Sequence, residues 1–179
     1  MANQPNIRDY FKNDYWEASL SKLILPEDIT KIIFEWIKQP KDFLIFCGNP
    51  GVGKTYLCAA IVRDLLIAKL NFRYFSEINF LSHLRGQIEK DQDFQREIDR
   101  ICETPFFILD DIGANRMNDW QREVVFSFVD SRSQSTDPTI ITSNLFLEDM
   151  KTTFGPRFYS RMKAKKNTII ELNWIDKRQ

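Results

Sequence analysis

The sequence predicts an α/β domain in which a parallel β-sheet is covered by helices on both faces. Three observations carry that expectation. Apolar runs of strand length recur without polar–apolar alternation, as strands buried on both faces require. Stretches of helical periodicity separate them. The first apolar run also leads directly into a glycine-rich turn, Gly48 to Thr55, which opens a helix.

Taken in order, residues 26–38 read as a helix. Pro26 suits the first turn, and Glu27 and Asp28 complement the helix dipole. Ile29, Ile32, Ile33, Trp36 and Ile37 fall on one apolar face, and Gln39-Pro40 ends the element. FLIFC at 43–47 is the first buried strand, followed by a helix over about 53–70 and a short strand NFRYF at 71–75. A charged, amphipathic helical stretch covers 76–101. The second buried strand is FFILD at 106–110, and a helix follows at about 118–132. Next come the strand TIIT at 139–142, short helices over about 146–164 and a last strand near 168–172. We read one domain over 1–179, with a helical N-terminal segment at 1–41 and the core at 42–179.

Composition narrows the classes. A chain of 179 residues with 43% hydrophobic and 13% aromatic residues can build an ordinary core, which excludes a disordered or low-complexity protein. Cys47, Cys58 and Cys102 show no C-x-x-C spacing and are accompanied only by His83, which argues against a zinc cluster and for reduced thiols in the cytoplasm. No apolar leader opens the chain and no run of membrane-spanning length occurs, so neither export nor membrane insertion is expected. The net charge of zero hides an asymmetry. Residues 151–179 carry eight basic groups against Glu171 and Asp176. That end suits either a polyanion or a solvated basic face.

Gly48-Asn49-Pro50-Gly51-Val52-Gly53-Lys54-Thr55 is a complete G-x-x-x-x-G-K-T between a buried strand and a helix. There, successive backbone N–H groups converge on phosphate and the helix N-terminus adds its positive end. Lys54 supplies a charge to the phosphates, and the Thr55 hydroxyl a magnesium ligand. Asp110 and Asp111 follow four apolar residues at the C-terminal end of a strand, the edge where parallel sheets bind ligands. Asp110 would hold magnesium through its water shell, and Asp111 would polarise an attacking water. Asn144 ends the strand TIIT. If that strand lies between the other two, its amide falls near the terminal phosphate.

GNPGVGKT, FFILDDIGA, FVDSRSQSTDPTIITSNL and GPRFYSRM…IIELNW together resemble the AAA+ ATPases of the bacterial helicase-loader group, which includes the DnaC and DnaI loaders and the IstB transposition helper. The resemblance runs from about Asp42 to the C-terminus. It implies a P-loop AAA+ core without a separate lid domain, ATP or ADP with Mg²⁺, and slow ATP hydrolysis stimulated by assembly or a partner. It also implies an ATP-dependent homo-oligomer. By the same resemblance residues 48–55 match Walker A, 106–111 match Walker B, and Asn144 the first sensor. Arg161, in the SRM tripeptide, matches the arginine finger that reaches a neighbouring subunit's nucleotide, with Arg157 and then Arg132 as further choices. A replicative helicase or another replication protein is the implied partner, although residues 1–41 are too few for the domain with which loaders grip the helicase.

Weak single-stranded DNA binding is a further expectation, from the basic end and from Phe72, Tyr74, Phe75 and Phe80 near Arg73 and Arg85. Core packing of those aromatics is the competing reading, because Glu89, Asp91, Asp93, Glu97, Asp99 and Glu103 form an acidic run beside them. Two other functions share the motifs. One is an IstB-like transposition helper ATPase. The other is a small-molecule P-loop kinase, which would be expected to add an arginine-bearing lid and an acid for the phosphate acceptor.

Overall fold

The computed structural model describes residues 11, 15–67, 72–88 and 94–173. Five strands form one parallel sheet: β1 (Phe43–Gly48), β2 (Phe72–Ser76), β3 (Phe106–Ile112), β4 (Thr139–Ser143) and β5 (Thr168–Leu172). Their order across the sheet is β2-β3-β4-β1-β5. The helices are α1 (Glu27–Lys38), α2 (Lys54–Ile67), α3 (Glu77–Ile88), α4 (Phe94–Cys102), α5 (Asp119–Ser133), α6 (Leu147–Phe154) and α7 (Pro156–Met162).

Successive strand residues point to opposite faces, and both faces are covered. Phe43, Ile45, Cys47, Phe107, Leu109 and Ile141 face a core completed by α3, α4, α5, α6 and α7. Leu44, Phe46, Phe106, Ile108, Ile140 and Ile170 face the other, completed by α1 and α2. This is why the strands read as unbroken apolar runs. Because β4 lies between β1 and β3, Asn144 emerges between the glycine loop and the two acids, as expected.

Several elements differ in detail from the sequence reading. On α1 only Ile33 and Trp36 are buried, while Ile32 is exposed, so the helix rests on a narrower stripe. Pro26 sits just before the first turn. The stretch 76–101 holds two helices, α3 and α4, joined by His83 Nε2 and the buried Glu97 Oε1 at 2.9 Å. Glu97 also meets Arg100 at 3.3 Å, so part of the acidic run is neutralised within the fold. Glu89, Asp91 and Asp93 lie outside the described residues, as do Asp176, Lys177 and Arg178.

The aromatics of 72–80 pack inward. Phe72 and Phe80 are buried, Phe75 stacks on Phe107, and the Phe80 and Phe128 rings are 5.1 Å apart. Tyr74 and Phe75 are half-buried and also pack against the two cores, so core packing accounts for these rings. Arg132 is also corrected. It is 1% exposed, and its guanidinium donates to the carbonyls of Cys102 (2.8 Å), Thr104 (2.7 Å) and Pro138 (2.9 Å) and to Thr139 Oγ1 (2.9 Å). It ties the end of α5 to α4 and the start of β4. A side chain held this way is neither a solvated helix end nor able to reach a second subunit.

The three cysteines are free thiols. Burial pushes Cys47 and Cys102 up to about 12 and Cys58 well above its ordinary value, which leaves them chemically quiet. No described helix is long and apolar enough to cross a membrane.

Candidate functional site

The glycine loop begins where β1 ends. Gly48 (φ 130°), Gly51 (φ 80°) and Gly53 (φ 97°) bend the chain through conformations that L residues rarely adopt. Gly48 has a second constraint: a Cβ there would lie 2.0 Å from the Leu172 carbonyl oxygen of β5. Val52 is buried and anchors the loop in the core, while Asn49 and Pro50 are exposed at its tip. Lys54 is buried, and its Nζ donates to the carbonyls of Gly48 (2.8 Å) and Asn49 (2.7 Å). The ammonium is thus held inside the loop that the N-terminus of α2 closes.

The acids are set by a β-bulge. Leu109 pairs with Ile141 and Ile112 with Ser143, so Asp110 and Asp111 together oppose the single residue Thr142. Asp111 takes a left-handed φ of 63°, a strained conformation that Asp tolerates better than most residues. Its N–H donates to Thr142 Oγ1 at 2.8 Å, and that hydroxyl donates in turn to Asp110 Oδ1. The bulge therefore aims the two carboxylates in different directions.

Asp110 is buried. Thr55 Oγ1 donates to its Oδ1 at 3.4 Å, and the Tyr74 hydroxyl to its Oδ2 at 2.8 Å. Burial raises its pKa above the ordinary value, and these hydroxyls work against that rise by favouring the ionised form. Asp111 is half-buried, and Asn144 Nδ2 donates to its Oδ1 at 2.5 Å. Glu77, the first residue of α3, is buried and accepts from the Gly113 N–H just past the bulge. Burial, with Asp111 nearby, pushes its pKa up to about 7.

The structure thus gathers Lys54, Thr55, Asp110, Asp111 and Asn144 at one edge of three adjacent strands. It brings in three residues to which the sequence reading gave no role at the site. Tyr74 and Glu77 come from the neighbouring strand and helix, and no local pattern marks them. Thr142 carried a faint signal as a hydroxyl closing an apolar run. Arg161 stands apart from this group, on α7: its Nε donates to Asp130 Oδ1 of α5 at 2.6 Å. The guanidinium of Arg157 lies over the Phe126 ring, 5.0 Å from its centroid.

Among the described residues no cluster of three or more His, Cys, Asp or Glu could hold a metal ion unaided. The Thr55 hydroxyl and Asp110 carboxylate are hard oxygen donors, which fit Mg²⁺ bound jointly with phosphate and water. A glycine loop running into a helix N-terminus, next to such donors at the edge of a parallel sheet, defines a P-loop fold.

The chain belongs to the family described as IstB-like ATP binding protein, whose model matches residues 10–161. It is 30% identical over 129 residues to the uncharacterized protein YdaV of Escherichia coli K12, covering 72% of this chain and 52% of the relative. It is 25% identical over 131 residues to the replicative helicase loader DnaC of the same organism, covering 73% and 54%. The chain therefore spans about half the length of these relatives. Its fold matches the crystal structure of the DnaC helicase loader with a TM-score of 0.77 at 23% identity, over 90% of this chain and 99% of that one.

Proposed function

We propose that the protein binds ATP with Mg²⁺, hydrolyses it slowly, and acts as a helicase-loader-like switch in DNA replication. The observation that carries this reading is the meeting of the glycine loop with Asp110, Asp111 and Asn144 on β1, β3 and β4. In this reading the loop amides of residues 49–53 and Lys54 hold the phosphates. Thr55 and Asp110 hold Mg²⁺, which when bound neutralises charge on the phosphates. Asp111 accepts the proton of the attacking water, and Asn144 orients Asp111 and the terminal phosphate. Arg161 completes the site of a neighbouring copy. ADP and phosphate are the products, with no other acceptor required.

The partner we propose is a replicative helicase or another replication protein, reached by an ATP-dependent homo-oligomer. The relative named as a loader supports this. The family description favours a second reading, an IstB-like transposition helper whose partner is a transposase. Direct DNA binding is a weaker part of this reading, because two basic side chains of the C-terminal segment already have acidic partners within the chain. Lys163 meets Glu148 at 3.4 Å and Lys166 meets Asp42 at 3.1 Å. Phosphate release from ATP with no acceptor present tests the enzyme reading, and phosphate appearing on a small molecule instead would return it to a kinase. Capture of partners from the native host with ATP present separates a helicase from a transposase.

A further inference from the structure

Tyr74 and the segment before α1 form a second layer behind the proposed magnesium site. Tyr74 is on β2, the edge strand beside β3, with the Tyr74 backbone opposite Ile108. Its hydroxyl reaches forward to Asp110 Oδ2 at 2.8 Å. The two Asp110 oxygens are thereby fixed from opposite sides, by Tyr74 on one and by Thr142 and Thr55 on the other.

The Tyr74 ring is itself held from the N-terminal side. Phe11 is 5% exposed, and its ring centroid lies 4.5 Å from that of Tyr74. Trp16 Nε1 donates to the Phe11 carbonyl at 2.8 Å, which pins the residue that covers Tyr74. The same segment also grips the helix bearing Thr55. The Tyr15 ring meets Tyr56, the residue after Thr55, edge to face, and the Tyr56 hydroxyl accepts the Ser19 N–H at 3.4 Å. Both proposed magnesium-side oxygens are therefore one residue or one hydrogen bond away from a side chain that this segment packs against.

We propose that Tyr74 is a positioning residue for Asp110 and that Phe11 sets Tyr74, so that displacing Phe11 weakens the hold of the site on magnesium. The proposal rests on the reading of Asp110 as the magnesium-side carboxylate. A group hydrogen-bonded to a metal-binding carboxylate orients it, and losing such a partner commonly costs about 10–100-fold in metal affinity. Phe11 packs on the ring of Tyr74, and its influence on Asp110 passes through that ring.

The test is a Mg²⁺ titration of the full chain bound to a fluorescent ADP analogue, read as the Mg²⁺ concentration giving half of the magnesium-dependent gain in affinity. Asp110→Asn should abolish that gain. Tyr74→Phe, which keeps the ring against Phe11 and removes only the hydroxyl, should raise the half-point about tenfold. Affinity in EDTA should stay at the wild-type value for Tyr74→Phe. Phe11→Ala should move the half-point in the same direction as Tyr74→Phe, and Phe11→Leu, which keeps an apolar cover, by less. In the Tyr74→Phe background Phe11→Ala should add nothing further. A wild-type half-point in Tyr74→Phe overturns the proposal while Asp110→Asn still upholds the site reading. A wild-type half-point in Phe11→Ala overturns the role of Phe11, and a full magnesium response in Asp110→Asn overturns both readings together.

Discussion

Arg161 Nε donates to Asp130 Oδ1 at 2.6 Å, linking α7 to α5, with the arginine side chain 49% and the aspartate 28% exposed. An ion pair this accessible is worth at most about 1 kcal/mol, so a competing anion can take the arginine over. A finger acting in trans must leave Asp130 for the phosphates of a neighbour. Arg161→Ala lacks a finger but keeps a site, and Lys54→Ala lacks a site but keeps a finger. Each alone should be inactive, and a mixture should recover turnover, since such an arginine is worth roughly 10³–10⁵ in rate when engaged. Asp130→Asn should lower the protein concentration needed for half-maximal turnover. If mixed mutants that co-assemble stay inactive, Arg161 is a surface ion-pair partner and Arg157 takes its place in the same experiment.

Lys54 and Asp111 should separate binding from chemistry. Lys54 is the cation inside the loop, so Lys54→Ala should abolish ATP binding in a fluorescent-nucleotide titration while the melting temperature holds. Asp111→Asn keeps the loop, Thr55 and Asp110, and should bind ATP with wild-type affinity. It should lose about 10²–10⁴ in turnover, the usual contribution of a positioned general base. Wild-type turnover in Asp111→Asn would move the base elsewhere.

Arg132 should matter to stability and not to hydrolysis. Arg132→Met keeps much of the volume but strands the half-buried carbonyls of Cys102 and Thr104, each costing about 1–3 kcal/mol when unpaired, while the Pro138 carbonyl keeps the Phe107 N–H. Urea unfolding should show a loss of about 2 kcal/mol or more, with turnover per folded molecule unchanged. A loss of turnover without a loss of stability would restore it as a finger.

These residues show where the sequence was readable. The glycine loop is contiguous, and its chemistry depends on neighbours in the chain, so Gly48 to Thr55 announces itself. Strands buried on both faces leave unbroken apolar runs, so β1, β3 and β4 were visible, and with them the edge where Asp110, Asp111 and Asn144 emerge. Tyr74 and Glu77 act across strands, on residues 36 positions later. An aromatic on a strand otherwise reads as core packing. Arg132 was misread because its partners are mostly backbone carbonyls, which every sequence supplies and no motif records. The bulge at Asp110 and Asp111 was equally hidden, since it depends on the register with Thr142.

Glu77 gives the fold a pH dependence whose sign can be worked out. Burial raises its pKa from 4.5 to about 7, so between those values the folded protein holds a proton that the unfolded chain has released. Stability then falls as pH rises through this window, and its contribution is fully present only below the lower value. At 1.36 kcal/mol per unit, the loss by pH 8 is on the order of 3 kcal/mol. Glu77→Gln keeps an oxygen to accept the Gly113 N–H and has no charge to bury. In EDTA buffer the variant should match wild type near pH 5 and melt several degrees higher near pH 8. Burial raises Asp110 too, so a shallower slope of the same sign should persist in the variant. Parallel stability–pH curves for the two proteins would show that Glu77 is ionised in the fold, with the Gly113 contact rather than a proton supporting its carboxylate.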